Sequence, residues 1–416
     1  MKAAFPRFIT RALSALALCV ICLAWARPAH AYAWMIHRGF SGCATCHADP
    51  SGGGLLNAYG RAQGEQLLRT HYTSSEDASS GSVGDFLFGA IELPDDVLLG
   101  GDYRGAYFSS ELAGAPHVPA RYLQMQADLT GQVAFGRLRI NGSIGYDHLG
   151  AEAADLTLRA QDNLISRVHW LGLDIGANNE VLLRAGRMNL PYGLRSIEHT
   201  LFIHSPPGIP GSGVRNDLSQ GQQHGVAVAF TSGAFRGEVM AILGNYQLSP
   251  DEFRERGYSA YLEWAESADV AVGASSLVTH SHRDVFYAAP LYRHAHGLFG
   301  RFVPWKPLTL LAEADFLFNS QDPKQTLAGR AVNQGGYASL LQADLEVIQG
   351  LHLIATGEST LPAVHNAYSS YSAWGSLAWF FAPHADVRFD AIEQSLGVSS
   401  TPITVTTLLG QLHVYL

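Results

Sequence analysis

Most of this 416-residue chain reads as an all-β protein, an antiparallel barrel of about sixteen strands closed on itself and crossing an outer membrane. Three observations predict this. The chain opens with an export signal, it alternates apolar and polar residues along many segments beyond residue 96, and the connections between those segments alternate short and long. No later stretch reaches the roughly 18 apolar residues that a membrane-spanning helix needs.

The N-terminal residues are not expected to join the fold. Lys2, Arg7 and Arg11 precede an apolar run from Ala12 to Ala26, and Ala29-His30-Ala31 is a small-x-small cleavage pattern, so residues 1–31 read as a secretory signal peptide. Cys19 and Cys22 leave with it. Of the four cysteines only Cys43 and Cys46 remain, which is no disulfide framework for an exported chain of this length. A closed hydrogen-bonded sheet then has to supply the stability. The net charge of −9 argues against nucleic acid as a partner, and 15% charged residues with 43 glycines suits a membrane barrel better than a soluble enzyme.

Soon after the expected mature start at Tyr32 comes "HRGFSGCATCHADPSGGGLLNAYGR", residues 37–61. In Cys43-Ala44-Thr45-Cys46-His47 two thiols stand at the spacing that reaches the two vinyl groups of one haem, and the following histidine is held beneath the iron as proximal ligand. The set occurs once, so one covalent haem c is expected. Gly52, Gly53 and Gly54 either let the backbone lie against the porphyrin or make a flexible turn before the next helix. The distal ligand is open: His37 ranks first, His71 second and Met35 third, since no methionine follows the motif until Met125. With Leu55, Leu56, Tyr59, Ala62, Leu67 and Leu68 at helical spacing, residues 32–72 are predicted to be a small α-helical monohaem cytochrome c module, too short for its own core and stapled by its cofactor. Residues 73–95 read as a linker, since 73–85 is polar, small and aperiodic.

Residues 96–416 form the barrel. Leu308, Leu310, Ala312, Ala314, Phe316 and Phe318 alternate with Thr309, Leu311, Glu313, Asp315 and Asn319, and Val387, Phe389 and Ala391 with Asp386, Arg388 and Asp390. Tyr258, Ala260, Leu262 and Trp264 alternate likewise with Ser259, Tyr261 and Glu263. Strands are expected near residues 103, 127, 141, 171, 184, 227, 239, 261, 273, 297, 313, 340, 355, 375, 390 and 409. Gly136, Asn178-Asn179, Ser232-Gly233, Glu266-Ser267 and Ala382-Pro383-His384 are tight turns; 149–166, 190–221, 245–256, 281–290, 320–334 and 361–369 are long. Short periplasmic turns and long external loops put both termini on the periplasmic side. The last strand ends in Tyr415-Leu416, where such barrels commonly end in an aromatic residue.

Arg104, Arg184, Arg301, Glu313, Asp315, Asp344, Arg388 and Asp390 are expected to face the lumen. The loop 190–222, with His199 and His204, reads equally as an inward constriction or an external loop. His280, His282, His294 and His296 form two His-x-His pairs, read either as an outer-rim metal site or as part of the interfacial girdle.

"CATCHADPSGGGLLNAYGR" ahead of a barrel resembles the fused monohaem cytochrome–porins of the bacterial outer membrane, whose known members include the outer-membrane iron-oxidising cytochromes, and "LRAGRMNLPYGLRSIEHTLFIH", residues 183–204, resembles porin strands found beside multihaem cytochromes. The resemblance implies electron passage between an extracellular redox donor or acceptor and a periplasmic carrier such as a c-type cytochrome, with the haem on Cys43, Cys46 and His47, at the periplasmic side or within the lumen. It implies an oxidoreductase if the donor is a small species such as ferrous iron. The Ala-x-Pro-x-Phe-Ala-Arg-Gln-Thr-Gly run of the iron oxidisers is absent, its place taken by Ala33-Trp34-Met35-Ile36-His37-Arg38-Gly39-Phe40, which leaves the donor open. The alternative is a passive diffusion porin that carries a periplasmic haem domain.

Overall fold

Period-two alternation assigns each strand one apolar and one polar face, and the sheet it builds in this chain has no edge. The computed structural model describes residues 33–40, 42–72, 86–114, 119–146, 163–176, 180–196, 198, 200–206, 214, 221–247, 251–284, 289–320, 334–361, 368–397 and 399–416. The signal peptide 1–31, the first part of the linker (73–85), the Asn178-Asn179 turn and His199 lie outside the described residues.

Seventeen strands occur among the described residues: β1 (Val97–Leu112), β2 (Arg121–Phe135), β3 (Leu138–Tyr146), β4 (Leu164–Ile165), β5 (His169–Ile175), β6 (Val181–Asn189), β7 (Gln222–Ser232), β8 (Phe235–Gly244), β9 (Arg256–Ala265), β10 (Val270–Ser281), β11 (Leu291–Trp305), β12 (Leu308–Ser320), β13 (Gln334–Ile348), β14 (Leu351–Leu361), β15 (Ser370–Ala382), β16 (Ala385–Leu396) and β17 (Ile403–Tyr415). The two-residue β4 and β5 both pair with β3, so together they fill one position and the wall has sixteen. Each of the sixteen expected centres falls within a strand. Every neighbour is antiparallel, and β1 closes the barrel by pairing with β2 on one side and β17 on the other, Asp102 opposite Tyr415.

The burial pattern is the inverse of a soluble barrel. Outward residues are large and apolar, with Leu298 at 69% and Leu341 at 61% exposure, while Arg184, Glu238 and Thr309 are fully buried inside. In water such exposure would cost roughly 25 cal/mol per Å² of apolar surface; surrounded by hydrocarbon it costs nothing, and the inward polar groups pair with one another. Tyr122, Tyr258, Tyr292, Tyr337 and Tyr371 are exposed near the long-loop end and Phe135, Trp305 and Trp379 near the short-turn end, the two aromatic girdles of a spanning barrel.

Residues 32–72 differ from the expected helical module. Their described part holds one α-helix, α1 (Ala58–Gln63), continued by a π-helical turn over Gly64–Leu68, and two short 3-10 turns, Trp34–Arg38 and Cys43–Thr45. Helical spacing from Leu55 overstated the helix because Ala48 and Asn57 backbone amides bond the carbonyls of Leu55 and Cys46, making 46–57 a narrow hairpin instead. The segment lies inside the barrel at the short-turn end, where it touches inward residues around the circumference. His37 and Arg38 bond Glu346 on β13, Asp49 pairs with Arg184 on β6, Ser51 donates to Glu238 on β8, Arg61 donates to the Leu99 carbonyl on β1, and the Thr70 amide donates to the Phe380 carbonyl on β15.

Candidate functional site

The attachment motif is built from a tight turn held by backbone bonds. Cys43–Thr45 is a 3-10 turn in which the amides of Cys46 and His47 both donate to the Cys43 carbonyl, at 3.1 and 3.0 Å. Asn57 fastens it from the far side. Its side-chain amide donates to the Thr45 carbonyl at 2.7 Å, and its side-chain oxygen caps α1 by accepting from the Gly60 amide at 2.8 Å. α1 thereby runs against the motif so closely that only glycine fits at position 60, where a Cβ would stand 2.2 Å from the Cys46 carbonyl oxygen.

Both cysteines are free thiols, Cys43 half-buried and Cys46 buried in a small core with Met35 and Leu68. Burial, with the neighbouring Cys43 adding to it, raises the Cys46 thiol to about 11, so it is held protonated. His47 is buried, and that burial lowers its imidazole to about 4, leaving a neutral ring, the form that ligates a metal. The three glycines after the motif all take positive φ, +84°, +74° and +59°, a left-handed run that residues with a Cβ rarely adopt. This fold-back carries Gly53 and Gly54 to the wall of the same space that His47 faces. The turn reading holds: the three glycines make the fold-back, and Gly53 and Gly54 line the space beside His47.

That space is a partly open cleft between the N-terminal segment and the barrel wall formed by β1, β2 and β13 to β17. Trp34 and His47 line it from the segment; Arg104, His352, Arg388 and His413 line it from the wall. Two thiols in one turn and the neutral buried His47 are the donor types a covalent haem would take; of the three, only His47 lines this cavity. Among the described residues no group of three or more His, Cys, Asp and Glu is arranged to hold a bare metal ion.

None of the distal candidates lines the cavity of His47. His37 lies 2.7 Å from the Trp34 carbonyl and 3.2 Å from the Thr309 hydroxyl through Nδ1, and 2.7 Å from Glu346 through Nε2, so both nitrogens have oxygen partners. It borders a different recess, with Arg38, Lys306 and Glu346. Met35 packs on Cys46 in the core, and His71 is partly buried near the end of the described stretch 42–72; neither lines the cavity of His47.

The eight predicted lumen residues all point inward, and Arg184 joins Asp49 to Glu238. The loop after β6 is an inward constriction. Tyr192 donates to Asp315 at 2.9 Å, the amides of Leu194 and Phe202 to Glu313 and Glu358 at 2.6 Å each, and Arg388 to Glu198 at 2.7 Å, so the described residues 190–206 cross the lumen from one wall to the other. His204 is buried in this loop and faces the Val214 carbonyl. Arg195 in the loop reaches Cys43, its guanidinium 3.7 Å from the sulfur. Nothing in residue spacing pointed to Arg195, whose partner lies 152 positions away.

The four rim histidines stay in two pairs. His280 is opposite Tyr292 and His294 opposite Val278, and the exposed faces carry His294 beside Phe318, which is the girdle arrangement.

Solved structures match this architecture along most of the chain. An outer membrane channel, DcaP, of Acinetobacter baumannii is 13% identical with a TM-score of 0.54, the match covering 77% of this chain and 97% of that one. OmpT of Vibrio cholerae is 12% identical with a TM-score of 0.56, covering 78% and 100%. OprB of Pseudomonas putida is 10% identical with a TM-score of 0.55, covering 84% and 99%. The barrel has the outer-membrane porin fold. At these identities the likeness is one of fold alone. No protein-family model and no curated protein matches the sequence.

Proposed function

We propose that this chain is an electron conduit of the bacterial outer membrane, related to the fused monohaem cytochrome–porins, carrying one haem c on Cys43 and Cys46 with His47 as proximal ligand. Electrons pass between an extracellular one-electron donor or acceptor and a periplasmic carrier such as a c-type cytochrome. One observation carries the reading: the only CxxCH motif of the chain is seated within the barrel, and its His47 lines a cavity walled by both the N-terminal segment and the barrel. A motif meant for a free periplasmic domain has no reason to be clamped to Arg184, Glu238 and Glu346.

Attachment adds each S–H across one vinyl double bond, sulfur to one carbon and hydrogen to the other, so it needs no oxidant. The bound haem supplies an iron that alternates between ferric and ferrous states. The residues of the chain do the rest. His47 presents a neutral ring, Gly53 and Gly54 leave room beside it, and the wall excludes lipid from a site that hydrocarbon ~30 Å thick would otherwise isolate from one side. The inward loop sits on the other side of the motif and narrows access from the long-loop end to small donors.

A second reading, a diffusion porin with a haem-bearing segment, is favoured by the fold shared with DcaP, itself a channel. Purified full-length protein in proteoliposomes separates the two. Under the conduit reading, ferrous iron or another donor added to the long-loop side reduces the haem, followed by its visible absorption, and conductance is small. Conductance typical of an open porin, with haem reduced only by donors at the short-turn side, would leave the porin reading standing and end the conduit.

A further inference from the structure

We infer that the second axial ligand of the haem is His352, a residue of the barrel wall, so that the iron joins the N-terminal segment to the barrel. The inference rests on the haem reading above and adds to it the ligand that spacing around the motif did not reveal.

His352 is the second residue of β14 and faces inward at 1% exposure. Its Nδ1 lies 2.8 Å from Oδ1 of Asp344, itself 2% exposed. A carboxylate only accepts, so Nδ1 carries the proton and Nε2 is the bare nitrogen. Nε2 has no hydrogen-bond partner although it is fully buried. A buried nitrogen left without a partner is unfavourable, and a ligand would remove that cost. A carboxylate holding one ring nitrogen while the other is left bare is also the arrangement that orients histidines toward metals. The ring is fixed further by Trp34, 4.4 Å away between centroids, and by Phe380 at 5.8 Å.

His352 lines, from the barrel wall, the same space that His47 and Trp34 line from the N-terminal segment. The other histidines do not meet these conditions. His37 has both nitrogens on oxygen partners and borders another recess. His413 lines the cavity, but its two nitrogens face Asp386 at 2.8 Å and Asp102 at 3.3 Å. Two nitrogen ligands also set the potential lower than a histidine–methionine pair would.

The test uses the full-length haem-loaded protein and reads the haem spectrum and electron paramagnetic resonance, not turnover. Wild type is expected to be six-coordinate and low-spin. His352→Gly should lose the low-spin signal and become high-spin, and added imidazole should restore it; His352→Met should acquire the sulfur-to-iron charge-transfer band of a thioether ligand. His37→Ala and His413→Ala should keep the wild-type spectrum. Retention of the low-spin signal in His352→Gly without imidazole, with haem still bound, overturns the assignment and leaves the haem reading intact. Should His352→Gly not form a barrel, His352→Met, which keeps the volume, decides: an unchanged spectrum overturns the assignment. Wild-type protein without covalent haem would instead overturn the haem reading, and this ligand with it.

Discussion

Asp49 and Arg184 form an ion pair of 2.8 Å that ties the N-terminal segment to the inner face of β6. Arg184 is fully buried and also bonds Glu238, so one cation serves two carboxylates, one from the segment and one from the wall. Removing the cation leaves both carboxylates without it, a loss of about 3–5 kcal/mol for a broken buried pair. Arg184→Met is therefore expected to unseat the segment, raising conductance in a planar bilayer and lowering the midpoint of barrel unfolding. Asp49→Asn, which leaves Arg184 paired with Glu238, should do less. Equal, porin-like conductance in wild type and Arg184→Met would show that the segment does not obstruct the lumen.

Gly60 tests whether the helix behind the motif is needed for attachment. A Cβ there stands 2.2 Å from the Cys46 carbonyl oxygen, and backbone on both sides gives little room to move. Gly60→Ala should cost about 1–3 kcal/mol through overpacking and reduce the haem content per barrel. Gly357→Ala, at a strand position where a Cβ meets nothing within 4 Å, is the control and should keep full haem content. Peroxidase staining of a denaturing gel, normalised to protein, reads both.

Covalent attachment has its own check. The double variant Cys43→Ser with Cys46→Ser should carry no haem through denaturing electrophoresis, while either single variant should keep one thioether and a shifted ferrous spectrum. A wild-type haem that acid acetone extracts would contradict attachment through these two sulfurs.

Orientation follows from the alternation of connections. Residues 321–333 join β12 to β13 at the long-loop end, and Gly136-Arg137 joins β2 to β3 at the short-turn end. A membrane-impermeant maleimide on intact cells should label Gln325→Cys but neither Arg137→Cys nor Ser79→Cys. Labelling of Arg137→Cys alone would reverse the barrel.

The wall of this protein was legible in its sequence because a strand's faces are decided locally. Alternation along "LTLLAEADFLFNS" sends Thr309, Glu313 and Asp315 to one side whatever the rest of the chain does, and burial inside the barrel follows once the sheet closes. The same holds for the CxxCH pentapeptide, whose chemistry depends on a spacing of a few residues. Which side of a lumen crossing the loop after β6 would take, whether residues 33–72 would hang free or sit within the barrel, and which histidines would line the cavity with His47 were not decided at that range. Arg195 meets Cys43 across 152 positions and His37 meets Glu346 across 309, contacts that exist only after sixteen wall positions have closed and set the width of the space between them. His37, near the motif in sequence, is drawn away by Glu346. His352, about three hundred residues away, reaches the cavity because β14 turns its second residue inward beside Asp344. Sequence alone thus determined the alternating wall and the CxxCH spacing on which the haem proposal rests, through near neighbours; tertiary structure decided what the wall encloses, because only closure of the barrel brings the distant charged and aromatic partners into contact.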